Sequence, residues 1–144
     1  MAKKTRCVFD TNICIDFFEQ RLPFEKEANE LVRMVEFREI EGVICANSIT
    51  TIFYLLKRSF DKQRALIAIE MLLKLFDIAP VDKRILQNAQ SLKAKDFEDA
   101  VIIASAEQYQ VDAIITRNTK DFQCTHLPVY TSQEAVAWMK SLAD

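Results

Sequence analysis

The chain has 144 residues, with 19 Lys+Arg against 21 Asp+Glu, one His and a single Gly. That length fits one domain, residues 1–144, and a net charge of -2 with a pI near 5.5 excludes a bulk polyanion binder, so nucleic-acid contacts must come from local patches. The lone Gly42 excludes a Walker A loop and a dinucleotide fingerprint, which each need several glycines, and the lone His126 argues against histidine-ligated zinc or a histidine dyad.

Arg6 to Phe9 is a short apolar run that stops at Asp10-Thr11-Asn12, and it reads as a buried first strand. Ile13 to Phe18 reads as a short helix. Phe24 to Ile40 has helical spacing, with Leu31, Met34 and Val35 facing inward and Gly42 expected to close the helix. Val43 to Ala46 is a second strand. Asn47 or Ser48 is expected to cap the next helix, which runs to about Ser59. Asp61 can cap another, Lys62 to Leu75. Phe76 to Ala79 is a third strand, stopped by Pro80. Asp82 caps a helix ending near Leu92, and Asp96 opens one from Phe97 to Gln110. Asp112 to Thr116 is a fourth strand and Pro128 to Tyr130 an edge strand. Thr131 or Ser132 caps a last helix through Leu142. Strands alternating with helices predict an α/β fold, with a mostly parallel sheet covered on both faces.

Cys7, Cys14, Cys45 and Cys124 form no C-x-x-C pair, so a zinc ribbon or a thioredoxin-type site is excluded. Cys7 and Cys45 lie in apolar runs and read as reduced core residues, which suggests a reducing compartment. No long apolar stretch follows the charged N-terminus, and the apolar runs are too short for a membrane span. The expectation is a cytoplasmic protein without a membrane segment.

In an open parallel sheet, ligands bind outside the carboxyl ends of the strands. Asp10 is the first residue past strand one. Ser48, Thr50 and Thr51 follow strand two, and Asn118 and Asp121 follow strand four. The helix opened by Asp96 leads into strand four, so its N-terminus lies at the same edge. Asp96 and Asp99 are three residues apart, about 60° of rotation and ~4.5 Å of rise, so they share a face and Glu98 points away. Crowded carboxylates repel, and a divalent cation resolves the repulsion. Oxygen-only ligands select a hard ion, Mg²⁺ or Mn²⁺. Simpler roles stand beside this one. Asp96 and Asp99 also read as a capping box, Asp10 as a helix cap, and Asn118 and Asp121 as turn residues.

Val8-Phe9-Asp10-Thr11-Asn12, Asp96-Phe97-Glu98-Asp99-Ala100 and Ile115-Thr116-Arg117-Asn118-Thr119-Lys120-Asp121-Phe122 resemble the PIN-domain nucleases, the VapC-like toxin ribonucleases among them. The likeness spans essentially the whole chain. It implies a three-layer α/β/α sandwich and an acidic pocket for Mg²⁺ or Mn²⁺. Asp10 and Asp99 match the family's principal metal ligands, and Asp96 adds a carboxylate. Asn118 matches a position where the family carries Asp or Asn, Asp121 lies one turn beyond it, and Asn12 and Ser48 match polar pocket positions. One departure stands out: the family usually carries an acid early in the helix after strand two, where this chain has Thr51.

The resemblance implies metal-dependent hydrolysis of RNA by a toxin of a toxin–antitoxin pair, with an antitoxin partner and a homodimer. Asp10, Asp96, Asp99, Asn118 and Asp121 would form its catalytic set. Lys57, Arg58, Arg117 and Lys120 are candidate RNA contacts, although positive charge at Lys57 and Arg58 also suits a solvated helix end. Tyr54 and Phe53 read as core or as base-stacking residues, and Tyr54 and Phe60 as a dimer face. Because Thr51 is neutral, a module that binds RNA or protein with weak or no cleavage is the alternative. A phosphotransfer domain is a third reading, which lacks its second carboxylate at Asn12.

Overall fold

The computed structural model describes residues 3–143. Its chain order is β1 (Arg6–Phe9), α1 (Thr11–Glu19), α2 (Glu25–Glu36), β2 (Glu41–Cys45), α3 (Ala46–Ser59), α4 (Lys62–Leu75), β3 (Asp77–Ala79), α5 (Lys83–Ser91), α6 (Phe97–Gln108), β4 (Ala113–Ile115), a 3₁₀ turn (Thr119–Phe122), β5 (Val129–Tyr130) and α7 (Ser132–Ala143). The strands form one sheet in the order β3-β2-β1-β4-β5, and every pairing is parallel.

Alternation along the strands divides the core. Cys7, Phe9, Ile44, Ala113 and Ile115 face one side, where α1, α2, α3, α4 and α7 pack. Val8, Val43, Cys45, Ala79 and Ile114 face the other, against α5 and α6. Both faces are therefore covered, as an all-parallel sheet requires. This is the expected α/β/α sandwich. From β1 the chain crosses to β2 on one side, and β4 later lies on the other. The crevice between the carboxyl ends of β1 and β4 is thus a topological switch point, where such sheets bind ligands.

The aspartate caps form as expected. Asp61 accepts from Arg64 N at 2.8 Å and Asp82 from Ile85 N at 3.0 Å. Thr131 Oγ1 accepts from Glu134 N at 3.1 Å, and Glu134 Oε1 answers on Thr131 N at 2.9 Å. At α3, however, neither Asn47 nor Ser48 caps. Both lie inside the helix, and Cys45 holds the cap position without a side-chain bond. Among the described residues, no helix is long and apolar enough to cross a membrane.

Gly42 corrects another expectation. It does not end α2, because it lies within β2. Three non-glycine residues take left-handed backbone instead: Gln20 at φ 51°, Arg38 at φ 60° and Gln110 at φ 57°. Gly42 is needed for space. A Cβ there would sit 2.5 Å from the Phe76 ring and 2.8 Å from Val35 Cγ2. Phe76 packs edge-on against Phe9, with ring centroids 5.1 Å apart, so it cannot retreat freely. Gly42→Ala is expected to cost about 1–3 kcal/mol of stability through overpacking, read as a lower urea midpoint.

Candidate functional site

Asp10 ends β1 and caps α1, and the residue is 5% exposed. Its Oδ1 accepts from Thr11 N at 2.7 Å. Its Oδ2 accepts from Thr116 Oγ1 at 2.7 Å and from Asn12 Nδ2 at 3.2 Å. The cap and site readings of Asp10 are therefore compatible. Thr116, fully buried at the end of β4, bridges the crevice, and its Oγ1 also accepts from Asn118 N at 3.1 Å. Asn12 Oδ1 accepts from Arg117 N at 3.2 Å. A continuous polar chain thus joins the loops after β1 and β4.

The second group of acids comes from α6. Asp96 Oδ1 accepts from Glu98 N at 2.7 Å and from Asp99 N at 3.3 Å. Asp96 is therefore the helix cap, and Asp99 is left for the crevice. Burial raises the Asp99 carboxyl to about 7, helped by the charges of Asp10, Asp96, Asp121 and Glu98. Burial also raises Asp10, against the opposing bonds from Thr116, Thr11 and Asn12 and the charge of Arg117. Asp121 is held near by its N–H, which donates to Asn118 O at 2.9 Å.

Glu98 corrects the helical-face argument. It belongs to the cluster. Thr11 Oγ1 lies 3.5 Å from its Oε1. Burial raises its carboxyl, as do Asp10 and Asp96, while the hydroxyls of Thr11 and Thr51 lower it. Helical side chains lean toward the N-terminus, so a long acid in the first turn of α6 reaches over the rim. Thr51 is neutral, but Glu98 brings a carboxylate to its hydroxyl.

The carboxylates Asp10, Asp96 and Asp99 do not close into a ligand cage. Among the described residues, no three Asp, Glu, His or Cys side chains form a ready metal-binding group. The donor chemistry still suits a hard divalent cation: the set is all oxygen, and its acids raise one another's pKa. The soft ligands near this crevice are buried: Cys14 feels the charge of Asp10, and Cys45 that of Glu98. Cys7, Cys14 and Cys45 are buried free thiols, and burial pushes Cys7 up to about 12. His126 pairs with Glu107 at 3.6 Å, near the far end of α6.

The remaining candidates divide. Ser48 is buried in the first turn of α3, and its Oγ has no hydrogen-bond partner among the described residues. Lys120 is exposed on the 3₁₀ turn beside Asp121. Arg117 is only partly free. Its Nε lies 3.2 Å from Oδ2 of the fully buried Asp16, and its guanidinium stacks over Phe24, 4.7 Å from the ring centroid. Lys57 and Arg58 are not brought to the acids. They occupy the last turn of α3, roughly 17 Å along the axis from its start at the rim. Tyr54 is 62% exposed and Phe60 43%, so neither is core, whereas Phe53 packs against the core.

Without a cation, the crowding has a measurable sign. The Asp99 carboxyl in the folded chain titrates near 7, above its ordinary 3.8. The stability this contributes is complete below pH ~4 and lost as pH rises through ~7. In chelator, the chain is therefore expected to be less stable at pH 7.5 than at pH 4.5. Asp99→Asn should flatten its share of that difference, about 1–2 kcal/mol after solvent screening, as read by urea titrations.

The sequence profile of the PIN domain matches residues 6–120. Ribonuclease VapC1 of Aquifex aeolicus is 26% identical over 130 residues, covering 87% of this chain and 89% of its own. A chain of a toxin–antitoxin complex from Klebsiella pneumoniae superposes with a TM-score of 0.65 at 30% identity, over 88% of this chain and 97% of that one. VapBC2 from Rickettsia felis, bound to a DNA fragment from its promoter, gives a TM-score of 0.68 at 15% identity, over 88% and 98% of the two chains. That last likeness bears on fold alone. With a profile match from β1 into the 3₁₀ turn and the acids gathered at the β1/β4 crevice, this chain belongs to the PIN domain family.

Proposed function

We propose that the protein is a metal-dependent endoribonuclease and the toxin of a toxin–antitoxin pair. The observation that carries this reading is the convergence of acids from four places at one sheet edge: Asp10 after β1, Asp96 at the cap of α6, Glu98 and Asp99 in its first turn, and Asp121 on the 3₁₀ turn after β4. Burial, with the charges of these acids, raises the Asp99 carboxyl. The similarity to a ribonuclease and to a toxin–antitoxin complex supports the reaction class.

Asp10 and Asp99, with Glu98 beside Thr51, are the residues that would hold the ion, Mg²⁺ or Mn²⁺. Bound there, it supplies Lewis-acid polarisation of a phosphate oxygen and a water of lowered pKa. Thr116 and Asn12 fix the Asp10 carboxylate, and Asp96 fixes the start of α6. Asn118 and Asp121 position the substrate side of the crevice. Lys120 offers the exposed cation for the RNA backbone and for a proton to the leaving oxygen. The alternative, a module that binds RNA or protein without cutting, rests on the neutral Thr51, and cleavage is what separates it from the nuclease.

The partner reading has its own support. Tyr54, Phe60, Leu66, Ile67 and Leu73 expose apolar area on α3, α4 and their junction. This face suits an antitoxin or a second copy of the chain. We place the active chain, as one domain over residues 1–144, in the cytoplasm. The test is degradation of labelled single-stranded RNA. Cleavage with Mg²⁺ or Mn²⁺ that stops in chelator is expected, and no cleavage with either ion would overturn the proposal.

A further inference from the structure

A cleft of about 550 Å³ opens beside the acids, between the loop before α2, the loop after β4 and the start of α7. That volume is in the range of sites that take small ligands, ~300–1,000 Å³. Its walls include Phe24, Glu27, Arg117, Asn118, Ser132 and Gln133. The cleft is linked to the acids through one short path. Arg117 N–H donates to Asn12 Oδ1, and Asn12 Nδ2 donates to Asp10 Oδ2, each at 3.2 Å.

Two features of the wall ask for a ligand. The first is a flat surface. The Arg117 guanidinium lies 4.7 Å from the Phe24 ring centroid, and Phe24 is 36% exposed. Unpaired RNA bases stack on such aromatic and guanidinium planes. The second is unmet polarity. Glu27 Oε2 and Ser132 Oγ are buried with no hydrogen-bond partner among the described residues. A buried acceptor without a donor is costly, so a ligand that donates to it gains.

We infer that this cleft receives the base of a nucleotide next to the scissile phosphate, and that the base is guanine. Guanine alone among the four RNA bases sets two neighbouring N–H donors, at N1 and N2, on its Watson–Crick edge. A carboxylate accepts both, whereas uracil, cytosine and adenine each offer one such donor group. Glu27 is the carboxylate in this wall. Asn118, Gln133 and Ser132 supply further polar groups around the base. The inference rests on the ribonuclease reading for its substrate class, and adds to it a preference of stated origin.

The experiment measures binding in chelator, so that cleavage does not intervene. Fluorescently labelled five-nucleotide RNAs carry guanine, adenine or uracil at the centre of a uridine background, and anisotropy gives their affinities. The guanine RNA is expected to bind at least about ten-fold more tightly. Glu27→Gln should bring the three within about three-fold, and Phe24→Ala should weaken all three. Equal affinities in the parent, or a guanine preference that survives Glu27→Gln, overturns the inference. Guanine-selective binding by a chain that cuts no RNA would leave the subsite standing and sink the nuclease reading. Cleavage with no base preference would do the reverse.

Discussion

Asp10→Asn is expected to lower metal-dependent RNA cleavage by about 100-fold or more while leaving the fold as stable as the parent. Burial at 5% exposure raises the Asp10 carboxyl, and the bonds donated by the Thr116 hydroxyl, Thr11 N–H and the Asn12 amide, with the charge of Arg117, oppose that rise. An amide in its place keeps one acceptor for Thr11 N–H and can donate to Thr116 Oγ1. It also removes a charge that burial disfavours, which offsets the lost bonds. Activity and folding therefore separate at this residue. Initial rates on labelled RNA and urea midpoints, taken on the same preparation, measure both. An Asp10→Asn protein that cuts at the parental rate would remove Asp10 from the reaction, and one that unfolds would make its role structural.

Arg117→Leu is expected to destabilise the chain by about 3 kcal/mol, a larger effect than loss of an exposed cation gives. Asp16 is fully buried, and neither of its oxygens has a hydrogen bond among the described residues. Its compensation is the Arg117 guanidinium at 3.2 Å, with Arg21 a weaker influence. Burial raises the Asp16 carboxyl while the arginines lower it. Removing Arg117 leaves a buried acid that must either take up a proton or stay unpaired. Asp16→Asn combined with Arg117→Leu should recover more than half of the loss, because the uncompensated charge is gone. Urea denaturation of the two single variants and the double closes the cycle. Additive losses would show that the pair does not act as a unit.

These expectations rest on features of unequal legibility. The strands could be read because each apolar run ends abruptly, as Phe9 does before Asp10, and the helix starts because Asp61, Asp82, Asp96 and Thr131 are strong cap formers. The rim of acids followed from one topological rule. Gly42 was misread because glycine after a helical pattern usually ends a helix, while here Phe76 from a distant segment claims the space of its side chain. Glu98 was misplaced by a wheel that counts angles and ignores the lean and length of the side chain. Thr116 and Asp16 carried a faint signal, since a hydroxyl closing a buried strand and an acid inside Ile13-Cys14-Ile15-Asp16-Phe17 both demand partners. Those partners lie far along the chain, so periodicity could not name them. The cleft beside Arg117 was invisible for the same reason.

The Thr116–Asp10 bond spans 106 positions, and the acids of α6 arrive late in the chain. A ribosome that has released only the first half of this polypeptide therefore exposes no assembled site, because Asp99, Thr116 and Asp121 are still to come. The same arrangement makes the molecule divisible. Severing it in the exposed stretch around Lys93 and Lys95 would part Asp10 from both Asp99 and Thr116.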